Sequence, residues 1–123
     1  MRPTDEALVS AARQAKEKAY APYSHFSVGA AVDGDDGKVY TGCNVENGSY
    51  GLTSCAERNA VFAAVAAGCR KIHSVADEDY TLPCGACRQV LAEFSAERII
   101  LTAKDGRYRV VKATELFPQP FSL

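Results

Sequence analysis

Apolar residues follow two periods along the chain, and the changes from one to the other divide it into elements. Leu8, Ala12, Ala15 and Ala19 recur at helical spacing near one face. Thr4 stands where a helix cap belongs, so a helix is expected from Asp5 to about Ala19. Ala21-Pro22-Tyr23-Ser24 breaks it. The period then shortens to two. Val28, Ala30 and Val32 alternate as a strand, residues Asp33 to Gly37 are dense in turn formers, and a second strand from Lys38 to about Val45 completes a hairpin. Asn47-Gly48-Ser49-Tyr50-Gly51 reads as a loop. Ser54-Cys55-Ala56-Glu57 matches a capping box and opens an alanine-rich helix that stops near Gly68. Lys71 to Ala76 forms a short strand. Pro83 precedes a helix carrying Cys84, Cys87, Val90, Leu91 and Phe94. Two last strands, about Arg98 to Thr102 and Arg107 to Lys112, flank Lys104-Asp105-Gly106.

The order α-β-β-α-β-α-β-β implies an α/β protein with a mixed sheet between helical layers. So short a final turn joins only antiparallel neighbours, because a parallel pair needs a crossover of about a dozen residues or more. No repeat, linker or low-complexity stretch divides residues 1–123, so one domain is expected. A hydrophobic fraction of 47% with 24% charged residues is a globular balance. Fourteen Lys and Arg against fifteen Asp and Glu leave a formal charge of −1, with no basic excess to neutralise a phosphate backbone. A nucleic-acid partner is not expected. Nor is a membrane, since no apolar run approaches about 18 residues. The segment Met1-Arg2-Pro3-Thr4-Asp5-Glu6 lacks the apolar centre of a signal peptide, and the expected compartment is the cytoplasm.

Five cysteines, an odd number without a signal peptide, point to reduced thiols rather than disulfides. Cys84-Gly85-Ala86-Cys87 alone has ligand spacing. A redox motif is expected near the amino terminus after a first strand, and this pair lies two-thirds along. As half of a zinc site it needs a further ligand, and Cys55 is the first candidate. Residues three apart at a helix start can aim both sulfurs at one point. Two helix amino termini meeting at a metal help stabilise thiolates through free N–H groups and partial positive charge. Three protein ligands leave the open position of a catalytic zinc site, and Glu57 follows Cys55 by two residues. Other readings stand beside this one. Glu57 serves equally as the reciprocal arm of a capping box, Cys55 as a small buried apolar residue, and Cys84 with Cys87 as half of a structural zinc site completed by Cys43, Cys69 or His73.

C-A-E-R (Cys55 to Arg58) followed by P-C-x-x-C-R-Q (Pro83 to Gln89) resembles the small zinc-dependent, homotetrameric cytidine deaminases, whose ligands are three cysteines. Nearly the whole chain shares the likeness, including Ala21-Pro22-Tyr23-Ser24 with Phe26, Gly42-Cys43-Asn44-Val45-Glu46-Asn47, and Leu116-Phe117-Pro118. Two departures are visible. The stretch between Cys69 and Pro83 is several residues shorter than the family usually carries, and the sequence stops at Leu123 where many members continue.

The resemblance implies a three-layer fold with a five-stranded mixed sheet, and one zinc ion per chain on Cys55, Cys84 and Cys87. It implies that Glu57 takes the proton of the attacking water, passes it to pyrimidine N3 and later protonates the departing amine. Arg58 would balance the thiolate charge. Phe26, Asn44, Glu46 and Ala56 would bind the nucleoside, with Asn44 and Glu46 on the ribose hydroxyls. Being two apart on a strand, those two point to one side. Tyr50 and Phe121 would reach adjoining sites in a homotetramer. The implied reaction is hydrolytic deamination of cytidine and deoxycytidine. A deaminase of a cytosine-nucleoside antibiotic would share the same catalytic parts. Relatives acting on RNA or DNA usually carry His as first ligand and a helix before a parallel last strand, unlike this chain. The rival from another class is a non-catalytic zinc-stabilised module.

Overall fold

A computed structural model of the chain describes residues 2–78 and 81–123. Five strands, β1 (Gly29–Gly34), β2 (Val39–Cys43), β3 (Ile72–Asp77), β4 (Arg98–Thr102) and β5 (Tyr108–Lys112), form one sheet in the order β2-β1-β3-β4-β5. The β3–β4 pair is parallel and the other three pairs are antiparallel. This is the mixed sheet that the sequence implied, with its last two strands antiparallel as expected.

Helices cover both faces. α1 (Asp5–Lys16) packs Leu8, Val9 and Ala12 on Ala31, Ala76 and Ile100. On the other face, α2 (Ala56–Ala66) and α3 (Gly85–Glu93) pack Ala60, Val61, Ala64 and Leu91 on Val32, Val75, Ile99 and Leu101. β1 lies mid-sheet between both layers. All six of its residues are therefore buried, not only the alternate ones at Ala30 and Val32. α3 is the crossover that a parallel β3–β4 pair requires.

Glycine lets both layers approach. A Cβ on Gly29 would stand 2.0 Å from the Ala12 carbonyl oxygen of α1, and one on Gly42 would stand 2.4 Å from the Ala60 nitrogen of α2. Each helix thus lies against backbone that carries no side chain. At one sheet end Arg98 binds Asp5 through two parallel N–H···O bonds of 2.8 Å and also donates to Ser74 Oγ at 3.1 Å, tying α1 to β3 and β4.

Three local readings need correction. The first helix ends at Lys16, not Ala19: Lys18 and Ala19 donate to the carbonyls three residues back, and Tyr20 N–H then turns away to Asn44 O at 3.0 Å. Ser54 does not cap α2. Cys55 occupies the cap position, while Ser54 Oγ donates to Asn59 Oδ1 at 2.7 Å, so no capping box forms and Glu57 is released from that role. A one-turn helix, α4 (Ala113–Leu116), follows β5 in a stretch for which the sequence pattern predicts no element.

Candidate active site

The chain path explains why distant residues converge. After β2, Val45 exchanges both backbone hydrogen bonds with Ser54, at 3.0 and 2.9 Å, which closes the 46–53 loop and delivers Cys55 to the start of α2. Asn59 on α2 donates from Nδ2 to Cys43 O at 2.7 Å and fixes the helix start against the end of β2. Cys55 is the N-cap of α2 and Cys84 the N-cap of α3. Neither sulfur caps its own helix by a hydrogen bond. Both are available to something else.

Cys55 Sγ lies 3.8 Å from Cys84 Sγ, and Cys84 Sγ 3.5 Å from Cys87 Sγ, with all three sulfurs within 4.8 Å. A tetrahedral zinc with Zn–S bonds of about 2.3 Å places its sulfurs roughly 3.8 Å apart. The spacing fits that ion. Among the described residues no fourth Cys, His, Asp or Glu joins the group, Cys43, Cys69 and His73 included. Among the described residues the set therefore leaves a fourth position open, which counts against a closed structural site.

The charges agree. The Cys87 thiol donates toward Cys55, whose pKa falls to about 5 despite burial, helped by the Arg58 guanidinium. Arg58 Nη2 stands 3.4 Å from that sulfur. Cys87 is pushed far above the thiol range by its bond to the Cys55 thiolate and by burial. One thiolate thus opposes the next, and a bound cation relieves that opposition. Glu57 is only 5% exposed, and burial, with the Cys55 charge adding to it, raises its carboxyl to about 7. Such a group can both take and give a proton near neutrality.

Behind Glu57 sits a group that sequence reasoning missed. Asp77 ends β3, is wholly buried, and among the described residues neither carboxylate oxygen has a hydrogen-bond partner. Burial first, then Glu57 and Cys55, drives its pKa well above the carboxylate range. Val75, two residues earlier, faces the α2–α3 layer, so Asp77 faces it too. No sequence motif marked it.

The expected nucleoside contacts form a second group. Asn44 Oδ1 accepts from Val28 N–H at 2.9 Å and its Nδ2 donates to Phe26 O at 2.8 Å. Glu46 accepts from the N–H groups of Tyr23 and Ser24, at 2.9 and 3.2 Å, and from the Ser24 hydroxyl. These donors, the Ser24 hydroxyl foremost, hold its carboxyl below the usual range. Ser24 Oγ in turn accepts from Phe26 N–H at 3.0 Å. Asn44 and Glu46 thus hold the loop that displays Phe26, a task the sequence did not reveal, beyond any contact with a sugar. His25, at φ 58° in the left-handed region, makes the sharp turn before Phe26. Ala56 is wholly buried, which leaves its backbone N–H in the open first turn of α2 as its polar offering.

Tyr50, 77% exposed, stacks edge-on against Tyr23 with ring centroids 6.1 Å apart. Phe121 is 69% exposed on the carboxyl-terminal tail. Two clefts lie elsewhere. One of about 610 Å³ runs between α3, Ile99 and Pro118, another between α1 and the end of β2, and neither touches the three sulfurs.

A thiol triad on two helix starts thus stands beside a buried carboxylate, on a sheet covered by helices on both faces. Comparison with known proteins identifies the family. The family model of the cytidine and deoxycytidylate deaminase zinc-binding region matches residues 2–103, and the chain belongs to that family. It is 44% identical to a cytidine deaminase of Sporosarcina psychrophila, over 95% of this chain and 90% of that protein. It superposes on the crystal structure of a cytidine deaminase from Burkholderia pseudomallei with a TM-score of 0.89 and 50% identity, covering 97% of this chain and all of the other. The Mycobacterium tuberculosis cytidine deaminase structure gives 0.84 and 42%, over 98% of this chain and all of that one. The cofactor is zinc, in keeping with the matched zinc-binding region and the thiol cluster.

Proposed function

We propose that this chain, as a single catalytic domain, hydrolytically deaminates cytidine and deoxycytidine to uridine and deoxyuridine, releasing ammonia in cytoplasmic pyrimidine salvage. The observation that carries the reading is the triad of sulfurs with its fourth position open beside buried Glu57. Cys55, Cys84 and Cys87 hold the ion. When bound, zinc supplies Lewis acidity that brings the pKa of a water toward about 7. Glu57 takes that water's proton at a carboxylate oxygen and delivers it to pyrimidine N3 as the hydroxide adds to C4; it then takes the second proton from the new C4 hydroxyl and gives it to the amino group as the C4–N bond breaks and ammonia leaves. Arg58 offsets thiolate charge at Cys55. Phe26 covers the flat base. Asn44 and Glu46 meet the ribose hydroxyls with the hydrogen-bonding capacity their loop contacts leave, and the Ala56 N–H faces the pyrimidine.

We further propose a homotetramer in which Tyr50 and Phe121 complete neighbouring sites. Phe26, Tyr50, Leu52 and Phe121 are each about half exposed or more. Exposed large apolar groups of this kind mark a surface that another protein covers. Excluding water from the reacting centre also strengthens every charge interaction there.

The experiment is ammonia release from cytidine by zinc-loaded protein, with Glu57→Gln alongside. Release of one ammonia per cytidine is expected, and the variant keeps zinc but loses about 10²–10⁴-fold in kcat. A zinc-loaded protein that releases none overturns the reading. For the assembly, sedimentation giving an active 13 kDa monomer refutes it, as does a tetramer in which Tyr50→Ala and Phe121→Ala both retain normal KM.

A further inference from the structure

Two residues of the C-R-Q segment, Arg88 and Gln89, have no part in the chemistry so far. Both lie on α3, the helix that carries Cys87 and is capped by Cys84. Both bind the carboxyl-terminal tail. Arg88 donates from Nε to Pro83 O and from Nη1 to Leu116 O, each at 2.8 Å. Gln89 makes a two-point bond to a single residue: its Nε2 donates to Phe121 O at 3.0 Å, and its Oε1 accepts from Phe121 N–H at 3.2 Å. A side-chain amide used in this way copies a strand's hydrogen-bonding edge and fixes both position and direction of the backbone it holds.

The tail needs such a device. Beyond Phe117 it forms neither helix nor strand, so no ladder of backbone hydrogen bonds fixes its path. Phe121 is 69% exposed, so packing does not hold its ring. Pro118 and Pro120 narrow the conformations open to the free tail, so two hydrogen bonds suffice to select one of them. Gln89 lies two residues after Cys87. One rigid helix therefore sets both the sulfurs and the tail aromatic.

We propose that Gln89 is a positioning residue, whose amide docks the backbone of Phe121 and so aims that ring at the adjoining subunit's nucleoside site. The inference rests on the reading that Phe121 contributes to nucleoside binding, and the test separates the two. Gln89→Ala raises KM for cytidine about three- to tenfold, the range expected when a docked tail becomes one of several populated states, while kcat and zinc content hold. Gln89→Glu keeps the acceptor for Phe121 N–H and loses the donor, and its KM falls between the two. Phe121→Ala raises KM at least as much, and adding Gln89→Ala to it changes nothing further. Hydrogen exchange at the Phe121 amide quickens in Gln89→Ala. Additive effects of the two substitutions overturn the proposal. So does a normal KM in Gln89→Ala where Phe121→Ala raises it, or an exchange rate that does not change. A normal KM in Phe121→Ala sinks the reading of the aromatic, and the role of Gln89 in nucleoside binding with it.

Discussion

Gly42 is where the sheet and the catalytic helix meet, and adding one methyl group there tests how tightly the site is built. In Gly42→Ala the new carbon lies 2.4 Å from Ala60 N, 2.5 Å from Ala56 O and 2.9 Å from Asn59 C. All three are backbone atoms of α2, so no side chain can rotate away. Ordinary contact begins at 3.4 Å, and the helix must retreat from β2 by about 1 Å. Overpacking of this kind costs about 1–3 kcal/mol. At the entropy of unfolding typical of a chain this long, each kcal/mol lowers Tm by about 4 °C, so the fall is about 4–12 °C. The same movement shifts Cys55 and Glu57 relative to Asn44 and Glu46, and a displacement of about 1 Å can cost roughly 10² in rate. Thermal unfolding and steady-state deamination of cytidine measure the two effects. Gly51→Ala, where an added carbon meets nothing within 4 Å, keeps its Tm. A Gly42→Ala protein with Tm within about 2 °C and kcat within about twofold would show that α2 and β2 are not in the contact described, and the reasoning would fail.

Cys84→Ala loses zinc and activity together, and metal analysis showing full occupancy would remove Cys84 from the ligand set. Glu46→Ala raises KM for cytidine about tenfold or more and also lowers Tm, since the loop bearing Phe26 hangs on that carboxylate. An unchanged KM would exclude it from the sugar site, and an unchanged Tm would exclude it from the loop's support. Arg98 holds Asp5 below its ordinary pKa, so the stabilisation from this pair is complete above about pH 5 and fades as pH falls through the folded value. Asp5→Asn therefore costs about 0.5–1 kcal/mol at pH 7, the range left after solvent screening, and denaturant unfolding shows the difference from the parent shrinking as the pH is lowered through the acid range.

Elements whose cause is local were legible in the sequence. Thr4 does cap α1, its Oγ1 accepting from Ala7 N–H at 3.1 Å, and Gly37 does supply the left-handed turn of the hairpin at φ 80°. The C-A-E and P-C-x-x-C segments sit on two helix starts, as their spacing suggested. Interactions spanning the chain were not legible. Glu46 and Ser24 are 22 positions apart and Gln89 and Phe121 are 32 apart, and nothing in residue type alone pairs a carboxylate or an amide with one backbone N–H among many. The capping box failed for a different reason. Ser54 offered the right hydroxyl, but the chain enters α2 one residue later, where Cys55 sits, and the hydroxyl turned to Asn59. Asp77 went unremarked because its burial comes from the helical layer that the assembled sheet carries on that face, which residue type alone does not show.

Cys55 and Cys84 are 29 positions apart in sequence and 3.8 Å apart in space. A cation between them is therefore a cross-link as well as a reagent. It closes a long loop that spans α2, β3 and the approach to α3, and an unfolded chain that has lost it regains all the freedom of that loop. Because this cross-link forms by equilibrium binding, its strength follows the surroundings: free metal at a hundred times the dissociation constant adds about 2.7 kcal/mol, and at the constant itself only about 0.4. The melting temperature of this chain is then not a fixed property of its sequence but a gauge of the free zinc around it.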